Sequence, residues 1–216
     1  MPQLKVFLSY HSSNNVLAGN IKSQLEKFGL DVFLAHEDIE PTEEWQDRIL
    51  VELEETEVFL PILTRNFQTS KWTAQETGIA LAKDAFIISV KVSIDPYGFL
   101  SRYQAFKLRR DNIPISCSKI AKLVHGNRKL QKKFLDGLTR SFAASESFEE
   151  AKIRSSLLNE FDGYNNRQVN EVLRASIDNF QIYQSFGARR NLKSFLHGYR
   201  QQADKSLLRS YKRKFS

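Results

Sequence analysis

Over the first 110 residues, short apolar runs alternate with stretches whose apolar residues recur every three or four positions. "LKVFLSY" (4–10), "DVFLA" (31–35), "VFLPILT" (58–64) and "AFIISVKV" (85–92) are the runs. They are continuous rather than alternating in polarity, which marks strands buried on both faces. Between the first two, Leu17, Ile21, Leu25 and Phe28 fall at helical spacing, and Gly29 closes that helix. Between the second and third, Thr42 can cap a helix over about 43–55 whose inward side is Trp45, Ile49, Val51 and Leu53. Strand–helix–strand repetition of this kind predicts an α/β fold with a parallel sheet covered by helices. Pro61 sits inside the third strand and cannot donate to a ladder, so a bulge or an edge placement is expected there. Parallel sheets bind ligands beyond the carboxyl ends of their strands. That puts 9–14, 35–41 and 64–70 around one crevice.

A helix over "SKWTAQETGIALA" (70–82) starts at the same rim. Its apolar side reads Trp72, Ile79, Ala80 and Ala82. Glu76 stands four residues after Trp72, on the same helical face. A carboxylate beside a large indole is either a solvated glutamate next to a core tryptophan or a group aimed into the crevice. Periodicity alone does not choose.

After about residue 127 the strand signal ends. Leu130, Phe134, Leu138 and Phe142 form one stripe, and Val169, Leu173, Ile177, Phe180 and Gln184 another. Phe195, Tyr199, Leu207 and Tyr211 continue in the last stretch, and Ser147 with Glu150 has capping-box spacing. About four helices are expected. The boundary falls near 112–128, giving domains 1–126 and 127–216.

Charge follows the same division. Residues 1–126 carry 14 Lys and Arg against 16 Asp and Glu, and residues 127–216 carry 18 against 9. A basic tail admits nucleic acid. The expected reading is instead a solvated helical surface, or one that meets the acidic 37–57 stretch, and nucleic acid is not an expected partner. Cys117 is the only cysteine, so neither an internal disulfide nor a cysteine zinc site can form. No run reaches the roughly 18 apolar residues of a membrane span, and the first ten residues lack a signal-peptide layout. A cytoplasmic protein without a membrane partner is expected.

The common nucleotide-loop fingerprints and the Gly-x-Ser-x-Gly elbow are absent from the sequence. His11, His36, His125 and His197 lack metal spacing, so no metal site is expected. His11 and His36 follow strands one and two and can reach the crevice.

"KVFLSYHSSN", "GLDVFLAHEDIEPTEEWQDRI", "VFLPILTRNFQTSKWTAQETGIALA" and "IDPYGFLSRYQA", in this order, resemble a TIR domain of the bacterial NAD-cleaving kind over residues 3–110. The resemblance implies a flavodoxin-like, five-stranded parallel sheet, here followed by a small all-helical accessory domain. It implies that 35–44 mediates assembly and shapes the nucleotide site. Many relatives that cleave NAD+ at the nicotinamide–ribose bond carry Trp-x-x-x-Glu, matched by Trp72 and Glu76. By that likeness Glu76 is catalytic, and Tyr10, His11, Phe33 and Trp72 bind substrate. The chain departs from some relatives at Ala35, where they place an acid. The implied activity is that of an NAD+ nucleosidase, giving nicotinamide with ADP-ribose or a cyclic isomer, in bacterial defence against phage. NAD+ would be substrate, with no cofactor. Partners would be other copies of the chain and a downstream effector protein. A non-catalytic TIR interaction module is the alternative.

Overall fold

The computed structural model describes residues 3–34 and 46–215, together with the backbone but not the side chain of Trp45. Two units are present. One comprises Met1–Glu26 and Leu30–Val124, the other Lys27–Gly29 and His125–Ser216.

The first unit begins with β1 (Leu4–Ser9), a 3₁₀ turn at Ser12–Asn14, α1 (Asn15–Glu26) and β2 (Leu30–Leu34). Gly29 takes φ +76° between α1 and β2, a conformation that a side chain would strain. α2 (Trp45–Glu55), β3 (Val58–Leu63), α3 (Arg65–Thr69) and α4 (Lys71–Ala82) follow. The fourth apolar run forms two short pieces, β4 (Phe86–Ile87) and β5 (Val90–Lys91), and β6 (Phe106–Lys107) comes last before α5 (Ile113–Gly126). All described pairings are parallel. β4 and β5 both lie along β3, so the lateral order is β2, β1, β3, the broken β4/β5 strand, then β6. Counting the broken strand once, this is five strands in the doubly wound order 2-1-3-4-5, the fold that the continuous apolar runs predict.

Pro61 explains the break. It lies inside the sheet, paired with Ser9 of β1 on one side, rather than at an edge. On the other side Ile88 N donates to Phe59 O. The parallel pattern then calls for an N–H from residue 61 to the Ile88 carbonyl, and proline has none. Pairing lapses there and resumes at Ile62 and Val90.

On one face of the sheet, Phe33, Phe7 and Phe59 stand in register across β2, β1 and β3. Their ring centroids are 5.4 and 5.9 Å apart. Ile49 and Leu53 of α2, Phe67 of α3 and Ala80 of α4 close over them. Val51 was expected to face inward with Ile49 and Leu53, but it is 48% exposed. It lies two residues, and so about 200°, from each of them around the helix.

The second unit holds α6 (Gln131–Ala143), α7 (Phe148–Leu158), α8 (Asn166–Asp178), α9 (Phe180–Gln184), α10 (Phe186–Gly198) and α11 (Lys205–Phe215). That is six helices where about four were expected. The continuous stripe through 169–184 is cut at Asn179. There the side-chain amide donates to the Ala143 and Ser145 carbonyls, while its oxygen caps α9. Ser185 caps α10, and Asp204 accepts from Ser206 N and Leu207 N at the start of α11. Ser147 does cap α7 through Glu150 N, but the Glu150 carboxylate reaches back to Glu146 N rather than to Ser147.

Among the described residues, no helix is long and apolar enough to cross a membrane, and no cluster of three potential metal ligands occurs.

Candidate active site

Side chains alternate across a strand, so Ser9 faces the same way as Phe7, toward α4, and closes the carboxyl end of β1. α4 begins at that end. Ser70 caps it by accepting from Thr73 N, and the Thr73 hydroxyl donates to the Phe67 carbonyl at 2.6 Å. These bonds fix the rotation of the helix. Its buried residues are Thr73, Glu76 and Ala80, spaced three and four apart.

Glu76 is therefore on the inward face of α4, with only 3% of its surface exposed. Ser9 Oγ donates to its Oε2 at 2.5 Å. Burial pushes the Glu76 carboxyl up to about 7, against the opposing effect of the Ser9 hydroxyl. The other buried glutamate among the described residues of this unit shows the contrast. Glu52 is paired with Lys5 at 3.0 Å and Arg48 at 2.9 Å, whereas no ion pair to Glu76 occurs among the described residues. A desolvated acid without a countercharge is characteristic of functional sites.

The carboxyl borders a cleft of about 350 Å³ between α2 and α4. Gln46, Ile49, Leu50 and Leu53 form one wall, and Trp72, Gln75, Glu76 and Ile79 the other. Trp72 is 38% exposed. Of the two readings the sequence left open, the solvated glutamate beside a core tryptophan does not hold: the indole is partly exposed and the carboxyl is buried.

The remaining sequence candidates are placed differently. Tyr10 is 2% exposed and does not line the cleft. Phe33 is buried in the aromatic row, with the Arg48 guanidinium 5.9 Å from its ring, and it too lies outside the lining. Neither ring therefore borders the described cleft directly. His11 is half-buried and uses Nδ1 to accept from Ser13 N, capping the 3₁₀ turn. His36, Ala35 and the 35–44 segment expected to shape the nucleotide site lie outside the described residues. Ser9 was not among the candidates. Its signal was its position, two residues after a buried phenylalanine at the end of the first strand.

A doubly wound parallel sheet in the order 2-1-3-4-5, with helices on its faces, defines a flavodoxin-like domain. The chain belongs to the TIR domain family, whose model matches residues 6–124, beyond the 3–110 outlined by its motifs and into α5. No curated protein matches it. The family includes NAD-cleaving enzymes and non-catalytic adaptors, and TIR domains generally self-associate.

Proposed function

We propose that the chain is an NAD+ nucleosidase with Glu76 as its catalytic residue. The observation that carries this reading is a buried carboxyl that, among the described residues, has no ion pair and is the one charged group lining its cleft. A cationic ligand suits such a site. NAD+ brings its positive charge on the nicotinamide ring. When the nicotinamide–ribose bond breaks, its electron pair goes to the ring nitrogen and nicotinamide leaves neutral. The positive charge passes to the ribose, and an ionised Glu76 beside it stabilises the oxocarbenium-like transition state. No proton donor is needed for the leaving group. Water attacking the anomeric carbon gives ADP-ribose, and a nucleophile from the same molecule gives a cyclic isomer.

Trp72 serves as the aromatic wall of the site. Phe33 and Tyr10 act through packing, by supporting the sheet beneath it. The cellular role implied by the resemblance, defence against phage, depends on this activity.

The test is incubation of the purified protein with NAD+ at graded protein concentrations, following nicotinamide release and identifying the second product. Release by the wild type that Glu76→Gln abolishes supports the reading. No release at any concentration favours the non-catalytic interaction module.

A further inference from the structure

The positive charge of the chain is concentrated at its end. Residues 187–216 carry nine Lys and Arg against Asp204 alone. Part of this charge surrounds an open groove of about 370 Å³ where the turn after α10 meets α11. Arg200, Lys205, Arg209 and Lys212 line it, and no carboxylate does. Lys205, Arg209 and Lys212 are spaced four and three apart, so they share one face of α11. All four cations are exposed, and none forms an ion pair among the described residues. The nearby acid, Asp204, is occupied in capping α11 through Ser206 N and Leu207 N.

Four like charges held around one groove repel one another, and an anion there relieves the repulsion. We infer that this groove binds the phosphodiester backbone of a nucleic acid. The cations from Lys205 to Lys212 span about 10 Å along the helix. That is about three phosphates of a strand carrying one charge per roughly 3.4 Å, with Arg200 available for a fourth. An interfacial membrane helix would set large exposed apolar residues beside its cations. α11 instead keeps Tyr211 buried and Leu207 and Leu208 partly covered, and no large apolar residue after Phe186 is exposed among the described residues. The inference is independent of the NAD+ reading.

The experiment is fluorescence anisotropy of the full chain with a labelled 20-nucleotide single strand and with its duplex, from 50 to 200 mM salt. Vesicles containing phosphatidylserine serve as a parallel arm. Four phosphate contacts predict a log–log salt slope of about −3.6 on duplex, or about a 150-fold loss of affinity over that range. Lys205→Ala/Arg209→Ala/Lys212→Ala leaves one contact, so the loss falls to about 4-fold. Arg128→Ala/Lys129→Ala/Lys132→Ala removes the same charge at the start of the helical unit and should leave the slope near the wild-type value. If the alanine variant of α11 does not melt like the wild type, the triple glutamine variant replaces it. Absence of binding at 50 mM salt, equal loss in both triple variants, or binding to vesicles but not to nucleic acid would each overturn the inference.

Discussion

Replacing Glu76 with glutamine should make the TIR unit more stable at pH 8 than the wild type, but not at pH 4.5. The Glu76 carboxyl is raised from 4.5 to about 7, chiefly by burial. Between those two values the folded chain holds a proton that the unfolded chain has released. Stability contributed by this group is therefore fully present below 4.5 and is lost as pH rises through 7. At about 1.4 kcal/mol per pKa unit, the loss amounts to roughly 3 kcal/mol. Glutamine keeps the size and an oxygen able to accept from Ser9, and it does not titrate. Its buried NH₂ carries a cost, but that cost is the same at every pH, so the informative quantity is how the wild-type–variant difference changes. Trp45 and Trp72 are the only tryptophans and both lie in the TIR unit, so urea unfolding followed by indole fluorescence reports on this unit. The difference in unfolding free energy should move by about 3 kcal/mol in favour of glutamine between pH 4.5 and pH 8. A difference that stays flat across that range would refute the argument that Glu76 is buried without adequate compensation.

Glu76→Gln should also lower NAD+ cleavage on the order of 10²–10³-fold, measured as nicotinamide release. Because the ionised carboxyl is the active form, wild-type kcat/KM should rise with pH through about 7, and a profile falling over that range contradicts the assignment. Trp72→Ala should weaken substrate use, read as a higher KM, with little change in the urea midpoint, since the indole is partly exposed. Phe33→Ala should cost about 3–5 kcal/mol of stability, and a normal urea midpoint would remove Phe33 from the core. If self-association completes the site, specific activity should rise with protein concentration. A constant value with a monomeric mass by light scattering would exclude that dependence.

The fold was readable because four continuous apolar runs separated by helical periods leave few alternatives to a parallel sheet. The rotation of α4 was not readable. Thr73 is polar yet faces inward, because its hydroxyl is satisfied by the Phe67 carbonyl. Trp72 is apolar yet lies at the cleft opening. A hydrophobicity pattern therefore aims this helix slightly wrong, which is why it leaves the placement of Glu76 undecided. Similarly, the apolar stripe through Ile177 and Phe180 passes across Asn179 without a gap, and only the hydrogen bonds of Asn179 show that it ends one helix and starts the next. Ser9 stayed hidden for a different reason: its role depends on a residue 67 positions away.

Pro61 divides the sheet into two lengths that need not come apart together. Before it, β1, β2 and β3 are joined by long, uninterrupted ladders. After it, β5 is attached to β3 through two residue pairs and β6 to β5 through two more. Opening this outer end breaks few hydrogen bonds and leaves the Phe33–Phe7–Phe59 row intact. Local opening events, which set how fast amide protons exchange with solvent, are thus directed to one side of the carboxyl rim. On the other side, Ser9 ends β1 within the longer ladders, and Glu76 of α4 is tied to it by the Ser9 hydroxyl, so this corner of the rim should exchange more slowly.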